Sequence, residues 1–287
     1  METNTVKLIR ALEGSAKLEE DELKGLLKLA GENKVLLGLL RKTNSRDEIK
    51  RDEERRYRRF AGSVIEVAEA LKDLNYALHK FRKPVEHVSV DIDVLIDRRD
   101  LTEAARRLSD RGFRVEVSEK YTVTMTRGST IVDLYTNPAF AWVIYLDGSK
   151  LLECCTEDFE FEGYTLKGLS REAEVVVSAS HAVYKEHIYL LIDYFTVKKW
   201  LNERALKLSA ELGAEESIKI ASMLNDLVES GSMELPSRIP PALLARAYSL
   251  KFLKDEEFRA TSPNLLKYLI SERAGKAIFW RLTRKTY

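Results

Sequence analysis

Cysteine is almost absent from the 287 residues: there are two, Cys154 and Cys155, and they are adjacent. Neighbouring residues are poorly placed to bridge each other, so a disulfide framework is not expected and both read as packing residues. The 4 histidines are scattered and complete no zinc pattern with them. No uninterrupted apolar stretch approaches the ~20 residues that span a bilayer, so no membrane contact is expected. The N-terminal METNTVKLIRALEG has an early acid and lacks the apolar run and small-residue cleavage site of a signal peptide. The expected location is the cytoplasm. An excess of one charge is lacking too, with 47 Lys and Arg against 46 Asp and Glu. That balance excludes a histone-like polycation and weighs against a large, purely electrostatic RNA surface, while leaving room for a local basic cleft. Internal repeats and low-complexity tracts are absent as well.

What is present is the composition of a folded chain, 45% hydrophobic and 32% charged. The charged share is above the usual ~25%, a lean towards thermophile proteins. The pattern along the chain is helices, then strands, then helices. Residues 1–44 read as two or three short helices, with apolar three-and-four spacing over Leu23–Ala30 and Val35–Leu40. A long helix is expected from Ser45 to Leu74, with Tyr57, Phe60, Ala61, Val64, Val67, Ala68 and Leu71 as its apolar stripe. Its first half, RDEIKRDEERRYRR, mixes both charges at helical spacing and reads as a solvated, ion-paired face before it reads as a nucleic-acid contact.

The period changes at Asn75. Tyr76–Phe81 reads as a strand, broken by Lys83-Pro84. From His87 to Ile96 the residues alternate, with Val88, Val90, Ile92, Val94 and Ile96 on one face and Ser89, Asp91, Asp93 and Leu95 on the other. Asp100 is placed to cap a helix reaching Arg111, with Glu103 at the capping-box position and Gly112 closing it. Phe113–Val117, Tyr121–Thr126 and Thr130–Tyr135 follow as strands, the last two joined through Arg127-Gly128-Ser129. Residues 151–166 read as an edge hairpin. Helices are expected at Ser170–Lys185, His187–Leu206, Ala214–Ser230, Pro241–Leu253 and Ser262–Leu282.

The chemistry concentrates at Asp91 and Asp93, two residues apart on one strand face. Like charges that close stay ionised only when something positive lies between them. Mg²⁺ (or Mn²⁺) is the usual solution, because it takes one or two carboxylate oxygens and completes its shell with water and phosphate. Downstream, Ile131, Asp133 and Tyr135 share a face. If that strand pairs beside the first, three carboxylates gather, enough to hold two metals ~3.5–4 Å apart for phosphoryl transfer. The bland alternative is an exposed acidic sheet face. Asp is depleted in strands, however, and the flanking VSV and VLI are core-like. His79, Lys80, Arg82 and Lys83 form a basic cluster just before this strand. Lys80 and Arg82 fall on one face by alternation and are candidates for the β- and γ-phosphates of a nucleoside triphosphate, Arg82 as a fork. Ser89, beside Asp91, is a further candidate nucleotide contact.

The stretch YALHKFRKPVEHVSVDIDVLID, the helix after it, Gly112-Phe113 and the later IVDLY together resemble the nucleotidyltransferase superfamily with the DNA polymerase beta-type fold. The likeness is greatest to its uncharacterised archaeal and bacterial nucleotidyltransferase group, and it covers about Leu74 to Asn137. The resemblance implies metal-dependent transfer of a nucleoside monophosphate, with Asp91, Asp93 and Asp133 as catalytic and metal-binding residues. It also implies a helical C-terminal part that packs over the cleft and carries a histidine near a helix start. His181 and Lys185 are its candidate nucleotide contacts. They share a helical face with Tyr184 and Ile188, and Asp193 is polar within LLIDYF. The bland reading makes these satisfied buried polar groups. One departure stands out: the Gly-Ser turn usual before the acidic strand is replaced by His79-Lys80-Phe81. Phe hinders the close phosphate approach that Gly permits, so either side chains take the triphosphate or activity is lost.

The reading is therefore an α+β fold, a small mixed twisted sheet flanked by N-terminal helices and a C-terminal helical domain. Residues 1–58, 59–166 and 167–287 are the expected units. The expected function is transfer from an NTP donor to an acceptor that is an RNA end, a protein or a small molecule, with release of pyrophosphate. The alternative is a catalytically impaired nucleotide sensor or RNA- or protein-binding module on the same fold. A DxD glycosyltransferase is disfavoured because no large doubly wound sheet surrounds the motif. A toxin–antitoxin role rests on superfamily analogy alone. The tail FWRLTRKTY reads as an amphipathic end before it reads as a nucleic-acid contact.

Overall fold

The computed structural model describes residues 2–16, 18–43, 48–271, 284 and 286. Helix α1 (Asn4–Glu13) starts at Thr3, whose hydroxyl accepts from the Val6 amide, and ends at Gly14 in the left-handed region. Helices α2 (Glu20–Glu32) and α3 (Leu36–Lys42) follow, then the long α4 (Glu48–Leu71). The expected stripe of α4 is buried from Ala61 through Val64, Val67 and Ala68 to Leu71. Its first half is ion-paired within the helix, Arg55 with Asp52 and Arg56 with Glu53.

The sheet has seven strands. They are β1 (Tyr76–Leu78), β2 (Asp91–Ile96), β3 (Arg114–Ser118), β4 (Thr122–Arg127), β5 (Thr130–Tyr135), β8 (Thr156–Phe161) and β9 (Tyr164–Leu169). Their spatial order is β3-β4-β5-β2-β1-β9-β8. β2 is central, antiparallel to β1 and parallel to β5. Its two faces enter different cores. Ile92, Val94 and Ile96 pack with Val64, Val67 and Leu71 of α4. Leu95 joins Ala77, Tyr135 and the C-terminal helices. Helix α5 (Leu101–Ser109) packs beside α4 through Ala104 and Leu108.

Three local expectations are corrected here. The strands around the acidic motif are shorter than the alternation implied: β1 stops at Leu78 and β2 starts at Asp91. The β2–β5 ladder opens with Asp91 opposite Ile131, and β1 reaches β2 only at residues 94–96. Residues 87–90 therefore have no ladder partner, and Val90 is 65% exposed instead of core. Next, Asp100 does not cap α5: its carboxylate accepts from the Asn75 amide at 2.8 Å, while Glu103 binds Arg106 and Arg107. The cysteines are the third. After the small hairpin β6 (Ala139–Phe140) and β7 (Val143–Ile144), helix α6 (Gly148–Cys154) ends in a disulfide between Cys154 and Cys155, with Cα atoms 3.7 Å apart. The chain leaves the helix at Cys155, with φ −136° and ψ 23°, and that turn lets adjacent side chains meet. The edge hairpin is present as β8–β9 over residues 156–169, displaced by the helix before it.

Gly148 begins α6 against the neighbouring backbone. A Cβ there would collide with the Thr136 carbonyl and approach the Asn137 Cα at 3.1 Å. Gly148→Ala should destabilise the fold by about 2–3 kcal/mol, the cost of overpacking against atoms that cannot swing away. A urea midpoint unchanged from wild type would contradict this.

Helix α7 (Arg171–His181) is capped by Ser170 and continues as a π-helical turn, Ala182–Glu186. His187 then takes φ 58°, which ends the helix, and β10 (Ile188–Tyr189) follows. The expected helix from His187 to Leu206 is thus broken into α8 (Leu191–Trp200) and α9 (Glu203–Glu211). Next come α10 (Glu215–Glu229), β11 (Ser237–Arg238) paired with β10, α11 (Pro241–Lys254), α12 (Glu256–Thr261) and α13 (Asn264–Ile270). The rest of the helix expected to Leu282, and the tail FWRLTRKTY apart from Arg284 and Thr286, lie outside the described residues. Among the described residues no helix is long and apolar enough to cross a membrane.

Candidate active site

The parallel pairing of β2 and β5 sets Asp93 directly opposite Asp133, with Asp91 one alternation away on the same face. One oxygen from each of the three carboxylates lies within 4.8 Å of the others. Each is held by a neighbour. Ser89 Oγ donates to Asp91 Oδ1 at 3.0 Å, and Lys80 Nζ reaches Asp93 Oδ2 at 2.7 Å. The Thr124 hydroxyl donates to Asp133 Oδ1, and the Tyr135 hydroxyl donates to its Oδ2 at 3.2 Å. Burial, then the charge of Asp93, raises the Asp133 carboxyl above the ordinary range. Burial opposes charge on Lys80, but Asp93 and Asp91 outweigh it and raise its pKa.

Two details fit a divalent cation at this cluster. Asp93 Oδ1 is buried and accepts no hydrogen bond. Among the described residues, Asp93 alone of the three is ion-paired, with Lys80, which leaves Asp91 and Asp133 without a contacting cation. The donors are all hard oxygens, the set that suits Mg²⁺ or Mn²⁺.

Tyr135 forms the floor beside the acids. Lys80 and Lys185 each place an ammonium 5.2 Å from its ring centre, and Lys185 donates to its hydroxyl at 3.4 Å. Burial first, then the acids' charges, holds the Tyr135 phenol well above its usual pKa, so it remains a donor. The His79 ring meets Tyr135 edge-on at 5.1 Å. Burial, with Lys80 and Lys185 adding to it, pushes His79 well down, and its ring is neutral.

A cleft of about 240 Å³ opens over Asp91 and Asp93, walled by Lys34, Lys80, Lys83, His181, Asp193 and Arg284 among others. His181 Nε2 lies 3.4 Å from Glu186 Oε1, and Glu186 is ion-paired with Arg284. Burial first, then the Lys80 and Lys185 charges, holds His181 well below its usual pKa. Asp193 Oδ2 accepts from the Leu190 amide at 3.2 Å and so closes the start of α8. The structure thus brings Lys80, Ser89, His181 and Lys185 to the three acids. It does not bring Arg82. That guanidinium pairs with Glu157, donates to the Leu169 carbonyl at 3.0 Å and covers the Phe159 ring. Alternation failed there because the strand had already ended at Leu78. A larger cavity, about 540 Å³, is walled by Phe140, Tyr145, Tyr184, Tyr248 and Phe252. Its lining among the described residues is mostly apolar and includes no carboxylate.

Sequence reasoning missed Lys34, Glu174, Glu186 and Arg284. Glu174 left a signal, a lone acid in the apolar run AEVVVSA. It is wholly buried; Oε1 accepts from the Phe81 and Arg82 amides at 3.1 and 3.4 Å, and Oε2 is 3.8 Å from Lys83 Nζ. Burial raises its pKa despite Lys83 and those amides. A carboxyl raised by folding stabilises the native state fully below the unfolded value of 4.5 and loses that contribution as pH rises through the raised value. Wild-type stability measured against Glu174→Gln should therefore fall as pH rises above the unfolded value of 4.5. A difference in urea midpoint that stays flat or grows with pH would refute this.

A family model described as an uncharacterised nucleotidyltransferase matches residues 42–215, more than half of the chain. Among solved structures, the chain is similar to the antibiotic-resistance factor ANT(2″)-Ia in solution, with TM-score 0.33 and 13% identity over 59% of this chain and 93% of that one. It is similar also to ANT(2″)-Ia in complex with adenylyl-2″-tobramycin, with TM-score 0.35 and 14% identity over 66% of this chain and 97% of that one. Superpositions that loose carry nothing about the site. No curated protein sequence matches. The matched span runs from the end of α3 to the start of α10 and contains all three carboxylates, and by it the chain belongs to the family of uncharacterised nucleotidyltransferases.

Proposed function

We propose that the chain moves a nucleoside monophosphate from an NTP to an acceptor hydroxyl with release of pyrophosphate. The carrying observation is the carboxylate group of Asp91, Asp93 and Asp133, gathered within 4.8 Å on paired parallel strands at the edge of a lysine-walled cleft. These three would hold Mg²⁺ or Mn²⁺, which when bound neutralises phosphate charge and acidifies a bound hydroxyl. The acceptor oxygen attacks the α-phosphorus, the bond to the β-phosphate oxygen breaks, and the acceptor proton passes to Asp133. Asp133 is the carboxylate assigned this role because it stands on the strand paired beside Asp91 and Asp93. Thr124 and Tyr135 fix its two oxygens, and Lys80 fixes Asp93. His181 and Lys185 serve as cleft contacts. An RNA end, a protein or a small molecule is the acceptor, and the cytoplasm is the setting of this reading.

A second reading, nucleotide binding without transfer, is favoured by Glu174, whose Oε1 already occupies the Phe81 and Arg82 amides. One assay separates the two. The protein is incubated with Mg²⁺ or Mn²⁺ and each NTP labelled at the α-phosphate, with total RNA, lysate protein or no acceptor. Label moving to one fraction in wild type, and not in Asp133→Asn, supports transfer. Metal-dependent binding with no label moved supports the sensor. Neither binding nor transfer overturns both.

A further inference from the structure

The Phe81 and Arg82 amides, just ahead of the acidic strand, already donate to the buried Glu174 carboxyl group. Lys80 is committed to Asp93, and Arg82 is turned to Glu157. Basic side chains wall this cleft, and one of them comes from the N-terminal helices. Lys34 lines the cleft; burial, with Lys80 adding to it, lowers its pKa, and Asp91, Asp193 and Asp93 act in the opposite sense.

Its placement is built. Lys34 takes φ 57°, a left-handed conformation that L residues rarely adopt, and Lys80 across the same cleft does likewise at φ 56°. The residue before it is clamped. Asn33 is fully buried, its Nδ2 donates to the Leu235 carbonyl at 2.9 Å, and its Oδ1 accepts from the Leu191 amide at 2.8 Å. The bend that puts Lys34 in the cleft is thereby tied to the start of α8, which carries Asp193. Lys83 stands in the same wall, between Glu174 and Ser178.

We infer that Lys34 binds the terminal phosphates of the donor, so that the N-terminal helices outside the family-matched span complete the triphosphate site. This rests on the transfer reading above. Bound phosphate would sit between cations that otherwise repel one another, and an ammonium on a flexible stem can follow it as pyrophosphate departs.

The test uses the full chain with Mg²⁺ and reads binding of inorganic triphosphate, an NTP and the matching NMP by calorimetry. Lys34→Met should weaken triphosphate and NTP at least tenfold and leave NMP within twofold. Lys34→Arg should recover most of the loss. In turnover, Lys34→Met should raise KM for NTP more than it lowers kcat. Melting temperatures confirm that each variant is folded. Triphosphate affinity in folded Lys34→Met within twofold of wild type overturns the assignment alone. Wild type that binds neither triphosphate nor NTP overturns the transfer reading together with it. Equal weakening of NMP and triphosphate also overturns it, since Lys34 would then act on the shape of the cleft and not on the phosphates.

Discussion

Asp91→Asn should lower nucleotidyl transfer at least about a thousandfold, some 4 kcal/mol of transition-state stabilisation at about 1.36 kcal/mol per decade. The same change should leave the fold as stable as wild type or more so. Asparagine keeps an acceptor for the Ser89 hydroxyl at the position of Asp91 Oδ1. It leaves the Lys80–Asp93 pair intact and removes one of three mutually repelling carboxylates. The pairing of outcomes is the informative part. A structural acid lost from a sheet costs stability, whereas an acid kept for chemistry costs stability by being present. Transfer within tenfold of wild type would sink the catalytic assignment. An inactive variant that also melts early would make Asp91 a structural group.

Lys80→Met should have the largest effect on folding. Lys80 Nζ and Asp93 Oδ2 are 2.7 Å apart, with side chains only 14% and 8% exposed. Breaking a buried pair by removing one partner leaves the other charge uncompensated, at a cost of about 3–5 kcal/mol. For a chain of this size that lowers Tm by roughly 5–8 °C. Millimolar Mg²⁺ or Mn²⁺ should restore part of the loss, because a cation among the carboxylates replaces the missing ammonium. A variant melting within about 2 °C of wild type, or one that divalent ions do not help, would contradict the charge balance drawn for this cluster.

The carboxylates were legible in the sequence because two facts are enough to locate them. Alternation around Asp91 and Asp93 gave a shared face, and the same alternation around Asp133 supplied a partner strand; pairing followed from the ladder. The long helix α4 was legible because its stripe keeps one period through Leu71. Arg82 was misplaced because alternation was carried past the end of β1, where Lys80 enters the left-handed region. The break at His187 was hidden because a residue in that region leaves no mark on hydrophobic spacing unless it is glycine or asparagine. Lys34 was invisible for a different reason. Its importance lies in the tether of Asn33 to Leu191 and Leu235, and no local pattern reports a contact across that much chain.

That tether also sets a timetable. Thr5 exchanges hydrogen bonds with Leu235, accepting from its amide at 2.9 Å across 230 residues, and Asn33 meets the same residue across 202. Such closures cannot form early, since their entropy cost comes before any contact rewards it. On the ribosome, the helices around Thr5 and Asn33 must wait until Leu235 has been synthesised. The sheet with its acids can assemble from contacts within residues 76–169, while the Lys34 wall of the cleft is still unmade. A chain that stops short of Leu235 is then a sheet of acids whose cleft lacks its Lys34 wall.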